Sequence, residues 1–101
     1  MNVNKSFDKA LRKVLSIREN RRKVYGDGWK NSPIAYDIWM LYGKLSRTIY
    51  IMNSSNIDKE KYEKFEDTLV DFVIYSLFAL QKFIYNKNKK NIKKILFGIE
   101  E

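Results

Sequence analysis

The sequence predicts an all-α fold, an antiparallel four-helix bundle, in one domain spanning residues 1–101. Apolar residues recur at helical spacing in three long segments, and no segment shows the alternation of a strand. The breaks between these segments are short, as they are between the helices of bundles. With 45% hydrophobic and 15% aromatic residues, the chain has enough apolar side chains for a core.

The first two helices are separated by the clearest break in the chain, "VYGDGWKNSP". The first helix begins with Ser6 as its expected N-cap and runs to about Arg22. Its apolar stripe is Phe7, Ala10, Leu11, Val14 and Leu15. The second helix covers about Ile34–Met52, with Ser32 as the expected N-cap and Pro33 in the first helical position.

A third helix follows the short linker "NSSN" and runs from the expected N-cap Asp58 to about Tyr85. A lysine-rich C-terminal region, about residues 87–101, then contains a short helix of about Ile92–Phe97. That helix is expected to stop near Gly98, since glycine readily ends helices.

Composition limits the chemistry. The chain has no cysteine and no histidine, which excludes disulfides, a Ser-His-Asp triad and most transition-metal sites. Any metal is expected to be a hard, oxygen-bound ion such as Mg²⁺. No uninterrupted apolar run reaches the roughly 18–20 residues of a membrane span, and no signal peptide is recognisable. We therefore expect a cytoplasmic protein without a membrane partner.

The net charge of +8 is unevenly distributed. Residues 1–30 carry nine Lys/Arg against three acids, and residues 82–101 carry six Lys against two acids. Residues 58–71 reverse this balance, with six acids against three Lys. Basic termini favour polyanions, so nucleic acid is one expected partner class. The alternative is that these charges serve solubility alone.

An acidic stripe marks the third helix. Glu63, Asp67 and Asp71 lie, with Glu60, within an arc of roughly 80° that continues into the apolar Ile74 and Phe78. A buried, unpaired carboxylate costs several kcal/mol, so Asp71 is expected to bind a metal or a basic partner. The opposite face is predicted to be the core seam: Leu69, Phe72, Val73, Ser76, Leu80 and Phe83.

Three charges stand out on the otherwise apolar second helix: Asp37, Lys44 and Arg47. Asp67 and Asp71 are their expected counterparts across a polar seam. One interpretation is an internal salt-bridge network. The other is a pocket in which Lys44 and Arg47 hold phosphate while the acids hold Mg²⁺.

The glycine-containing stretch "VYGDGWK" lacks the spacing of a P-loop. It is either a simple interhelical turn or a wall on which a base stacks, formed by Tyr25 and Trp29 with Lys30 beside them.

Three pieces in this order, "RKVYGDGW", "YGKLSR" and "EDTLVDFVIYSLFAL", cover about residues 7–82. Together they resemble the nucleotide modification associated domain of phages and bacteria, which is similar to the MazG-like all-α NTP pyrophosphohydrolases. The resemblance implies a domain that handles nucleotides and is often oligomeric, hence a homo-oligomer here. It places a Mg²⁺-binding acidic motif on Glu66, Asp67 and Asp71.

The expected function is therefore binding of a nucleoside phosphate, with Mg²⁺-dependent hydrolysis as its catalytic version. In that version Asp67 and Asp71 hold Mg²⁺ with help from Glu63 or Asp37, and Lys44 and Arg47 stabilise phosphate charge. The E-x-x-E motif of MazG-like enzymes has no counterpart in the second helix. The alternatives are a phage protein that sequesters a nucleotide without hydrolysing it, and a basic module that binds nucleic acid or inhibits a protein.

Overall fold

The computed structural model describes residues 3–87 and 90–99, apart from the side chain of Lys30. The helices, in chain order, are α1 (Val3–Tyr25), a 3-10 helix (Gly28–Asn31), α2 (Ile34–Met52), α3 (Lys59–Tyr85) and α4 (Ile92–Phe97). The described residues contain no strand, so the predicted all-α class is confirmed.

Two predicted helix ends are confirmed by their capping groups. Asp58 is the N-cap of α3, and its carboxylate accepts a hydrogen bond from the Lys61 backbone N–H at 2.8 Å. Gly98 ends α4 in the left-handed conformation, with φ +75°. Helix α4 packs against α2, and a Cβ atom at Gly98 would lie 3.3 Å from Cγ of Pro33. Glycine therefore suits both the backbone and the packing at this position.

Two predicted caps are wrong. Helix α1 already includes Val3, and the hydroxyl of Ser6 donates to the Val3 carbonyl at 2.8 Å inside the helix. At α2 the N-cap position is occupied by Pro33, and Ser32 lies one residue further out. The Ser32 hydroxyl accepts a hydrogen bond from Lys82 at 2.8 Å, because a buried ammonium group needs acceptors.

Helices α2 and α3 form an antiparallel pair. Asp37 near the start of α2 binds Lys82 near the end of α3, and Lys44 in the middle of α2 binds Asp71. Helix α1 packs on another side of α3, where Val14, Val70 and Ile74 form a buried cluster with Ile17 and Phe78 against it. The acidic stripe of α3 therefore does lead into buried residues, as predicted.

The predicted core seam on the opposite face of α3 is wrong for the single chain. Leu69, Val73, Leu80 and Phe83 are 49%, 42%, 52% and 58% exposed. The described helices contact α3 through its other sides, so none of them covers this face.

Among the described helices, α3 is long and apolar enough to cross a membrane by length and composition, a property that the core helix of a soluble protein can share. The sequence-based expectation rested on uninterrupted apolar runs, and the charges of Asp71 and Lys82 interrupt the apolar part of α3.

Candidate functional site

A groove with a volume of about 740 Å³ lies between the C-terminal half of α1, the glycine-containing connection and the α2–α3 pair. Its charged lining residues are Arg18, Arg21, Arg22, Lys82, Asp37 and Asp71. Its aromatic lining residues are Tyr25, Trp29, Tyr36, Tyr75 and Phe78. The groove therefore combines an excess of positive charge with an aromatic wall.

Helix α1 supplies the three arginines. Residues three and four apart share one face of a helix, so Arg18, Arg21 and Arg22 all reach the groove. Arg21 donates to Asp71 at 2.7 Å, and Arg22 has only long ion-pair contacts, 3.5 Å or more. Arg18 is half-buried and forms no ion pair or hydrogen bond within the described part of the chain.

Asp71 is held by cations from two helices. Arg21 from α1 donates to its Oδ1 at 2.7 Å, and Lys44 from α2 donates to its Oδ2 at 3.0 Å. Burial by itself raises the pKa of the Asp71 carboxyl, but the hydrogen bonds from Arg21 and Lys44 outweigh burial and hold this pKa below its usual value. The ionised carboxylate of Asp71 therefore connects α3 to both α1 and α2.

Asp37 and Lys82 form a second, deeper ion pair. Their side chains are 1% and 3% exposed, and Lys82 Nζ lies 2.6 Å from Asp37 Oδ2. Lys82 also donates to the Ser32 hydroxyl at 2.8 Å and lies 5.7 Å from the centre of the Tyr36 ring. Burial raises the pKa of the Asp37 carboxyl, although the hydrogen bond and charge of Lys82 act in the opposite direction.

The aromatic wall is built from the connection and from α3. Gly26, at φ +66°, lets the chain turn after α1 and brings Trp29 against Tyr85 in an edge-to-face contact at 5.7 Å. Tyr75 packs edge-to-face on Phe78 at 6.0 Å, and burial raises the pKa of the Tyr75 hydroxyl. This wall presents ring surfaces close to the arginines.

The structure brings several predicted site residues together. Tyr25, Trp29, Asp37 and Asp71 line the groove. Lys44 contacts Asp71 from α2 without lining the groove itself. The expected pairing of Lys44 with an acid of α3 is therefore present.

The other predicted residues lie elsewhere. Arg47, Asp67 and Glu63 are exposed and do not line the groove, and Glu63 makes only a distant contact with Lys59, at 3.9 Å. The predicted role of Lys30 concerns a side chain outside the described part of the structure.

The acids do not form a metal-binding set. No group of three or more acidic side chains is arranged to hold a metal ion among the described residues. Asp37 and Asp71 each bind cations of the protein, whereas Asp67 and Glu63 face solvent. The residues present therefore do not fit the Mg²⁺ site that the resemblance implies.

Sequence reasoning missed the cations of the groove. The signal for the arginines is the i, i+3, i+4 spacing of Arg18, Arg21 and Arg22 in "IRENRRKVY". Lys82 is the only charged residue between Asp71 and Lys87, and it lies three turns after Asp71, close to the same face of α3. A lone lysine in so apolar a stretch indicates a buried partner.

No protein-family model matches this chain, and the comparisons with curated proteins and with solved structures gave no match either.

Proposed function

We propose that this chain binds a nucleoside phosphate in the groove and does not hydrolyse it. The observation that carries the proposal is the guanidinium of Arg18, a half-buried cation with no ion pair or hydrogen bond in the described residues, at the edge of a groove with aromatic lining. Desolvating a cation without a counter-ion is unfavourable, so Arg18 is a ready site for an anion.

The groove suits such a ligand in size and charge. Its volume of about 740 Å³ lies within the usual range of small-molecule sites, about 300–1,000 Å³. Four of the described cationic side chains line it against two acids, and both acids are already paired. The positive charge that no acid contacts belongs to Arg18, with the loosely paired Arg22 beside it, and arginine binds phosphate oxygens through paired hydrogen bonds.

The aromatic residues provide a place for the base. Tyr25 is 78% exposed at the rim, and Tyr75 and Trp29 continue the aromatic surface inward. Stacking of a base on an aromatic ring is worth about 1–3 kcal/mol and tolerates different bases. We therefore propose that the phosphates bind the arginines while the base stacks on this wall.

Binding without hydrolysis follows from the acids. Hydrolysis of the kind implied by the resemblance needs carboxylates free to hold Mg²⁺. In the groove both carboxylates bind protein cations instead. Among the described side chains of the groove, arginine then meets the phosphate charge.

The proposal includes the finer fold assignment, an antiparallel four-helix bundle of the MazG-like kind. It is supported by the antiparallel α2–α3 pair and by short connections between helices.

Isothermal titration with nucleoside mono-, di- and triphosphates, each with Mg²⁺ and with EDTA, tests the proposal. We expect saturable binding in both conditions. Arg18→Ala should weaken it about tenfold or more, since a hydrogen bond to a charged group contributes about 1.5–3 kcal/mol. Arg12→Ala is the matched control, because Arg12 is an exposed arginine of α1 outside the groove.

Absence of binding, or equal weakening by Arg18→Ala and Arg12→Ala, would contradict the proposal. Release of phosphate or pyrophosphate that requires Mg²⁺ and disappears in Asp71→Ala would replace it with the catalytic version. Binding of an oligonucleotide that is tighter than that of any mononucleotide and falls steeply with salt would reassign the groove to nucleic acid.

A further inference from the structure

We propose that two copies of this chain pair through an apolar face of the α2–α3 pair, on the side away from α1. This face, called here the hairpin face, has one row of residues from each helix. The row on α2 is Ile38, Tyr42, Leu45, Ile49 and Met52. The row on α3 is Leu69, Val73, Ser76, Leu80 and Phe83.

The spacing of both rows is that of a helix–helix interface. Successive residues in each row are four, three, four and three positions apart. This heptad spacing places side chains along a single seam that another helix covers. Because α2 and α3 are adjacent and share this spacing, their combined face fits against a second pair of helices, as in a four-helix bundle.

Both rows lie on the same side of the pair. The side chains of Asp37 and Lys44 mark the face of α2 that contacts α3, and those of Asp71 and Lys82 mark the reciprocal face. At about 100° per residue, and counted in the same rotational sense, the row of α2 lies about 60–140° from Asp37 and the row of α3 about 100–180° from Lys82. In an antiparallel pair this rotation brings both rows to the same side. Helix α1 lies over Val70 and Ile74 and leaves the hairpin face exposed; only Leu80, at the edge of the row, also lines a shallow groove with Leu15 of α1.

The hairpin face is exposed in the single chain. On α2, Ile38, Leu45, Ile49 and Met52 are between 45% and 65% exposed. On α3, the four large apolar residues of the row are between 42% and 58% exposed. Water contact with two complete apolar seams is unfavourable, and a partner that buries them removes that contact.

The total surface of the single chain is large enough to include a dimer interface. The chain exposes 8281 Å², whereas a monomer of 12.1 kDa is expected to expose about 6,000 Å². Its radius of gyration is 16.2 Å, compared with about 13 Å for a compact domain of this length. The excess surface is larger than the roughly 800 Å² that each partner contributes to a standard interface.

Charge favours a second copy at this face. Neither row contains a charged residue, although the chain carries a net charge of +8. Two copies that approach through their basic surfaces repel each other, whereas the hairpin faces bring no like charges together. The one hydroxyl in the row of α3, that of Ser76, already donates to the Phe72 carbonyl at 2.8 Å. In a dimer with a two-fold axis, the hairpin face of each chain contacts the hairpin face of the other.

The arrangement leaves the groove open, because the groove lies on the α1 side of the pair. Oligomeric state and nucleotide binding are therefore measured separately, and either proposal stands without the other.

Light scattering after size-exclusion chromatography tests the pairing. We expect the wild type to have twice the chain mass of 12.1 kDa. Ile49→Glu and Leu80→Glu should reduce the mass to that of one chain. Tyr50→Glu is the matched control, since Tyr50 is next to Ile49 and 75% exposed but lies outside the row; this variant should keep the doubled mass. A wild type of single-chain mass at all concentrations would overturn the proposal.

Thiol labelling identifies which face of the chain is buried in the dimer, and it needs only small substitutions at exposed positions. The chain has no cysteine, and Ser76 and Ser46 are both exposed in the single chain. In the dimer, Ser76→Cys should react with a maleimide several-fold more slowly than Ser46→Cys. Equal rates in a protein of doubled mass would overturn this choice of face. Flotation of a single-chain species with phospholipid vesicles would assign the face to a membrane instead and would also overturn the proposal.

Discussion

Lys82 and Asp37 form an ion pair at 2.6 Å that is almost completely removed from solvent and joins the end of α3 to the start of α2. The pair lies beneath the groove, and Ser32 supplies Lys82 with an additional acceptor. A buried pair contributes little to stability compared with an apolar pair, but loss of one partner is costly. This asymmetry makes the pair a test of the packing of α2 on α3.

Lys82→Met should lower the free energy of unfolding by about 3–5 kcal/mol, because the Asp37 carboxyl would remain buried without its cation. The double variant Asp37→Leu/Lys82→Met should recover most of that loss. Urea denaturation followed by circular dichroism measures both values. Lys64→Met is the control, since Lys64 and Glu60 form an exposed pair at 2.8 Å whose loss should change stability only slightly. A loss of that small size for Lys82→Met would contradict the buried pairing.

The ion pairs of Asp71 predict a specific pH dependence of stability. The pKa of this carboxyl is held below its usual value of 3.8, so the folded state binds its proton less readily than the unfolded state does. Its contribution is therefore complete above pH 3.8 and is lost as the pH falls through the lower folded-state pKa. The free energy of unfolding of the wild type, minus that of Asp71→Asn, should be positive, about 1 kcal/mol, near pH 6 and should shrink on acidification.

Burial raises the pKa of Asp37, which gives the opposite trend, but Asp37 is present in both chains and cancels in the difference. Denaturation curves of the two proteins between pH 2 and 6 measure the effect. A difference that stays constant down to pH 2 would show that Asp71 is not held by Arg21 and Lys44.

Trp29 is an internal reporter of the groove. The chain has two tryptophans, and Trp39 is 71% exposed on α2, away from the groove lining. In Trp39→Phe, emission comes from Trp29 alone and should change on addition of a nucleotide, because a stacked base alters the surroundings of the indole. Inorganic phosphate should leave it unchanged. In Trp29→Phe, emission from Trp39 should not respond, and equal responses of the two variants would contradict base stacking at this wall.

Asp58→Ala should lower stability by about 1 kcal/mol, because the Asp58 carboxylate caps a backbone N–H at the start of α3. Asp58→Ser should restore most of the loss, since a serine hydroxyl also caps. Asp67→Ala is the matched control: it removes the same charge from the same helix at an exposed position and should change stability by less than about 0.5 kcal/mol. Thermal unfolding of the three variants compares them directly, and equal losses for Asp58→Ala and Asp67→Ala would mean that charge, not capping, is responsible.

The sequence by itself determined the helical class, most helix boundaries and the caps at Asp58 and Gly98. These properties depend on residues close together in the chain: apolar spacing, a side chain near a free N–H, and a glycine that can take positive φ. The pairing of Lys44 with an acid of α3 was also predictable, because few charges interrupt the apolar faces of α2.

Only the tertiary structure decided which faces are buried and which charges meet. The sequence predicts that the row from Leu69 to Phe83 is a core seam. The row is exposed, because α1 packs on a different face of α3, over Ile74. Likewise, the ion-pair partner of Asp37 is Lys82, which lies 45 residues away in the chain. Periodicity identifies the apolar faces of a helix, but the choice among them depends on contacts between residues far apart in the chain.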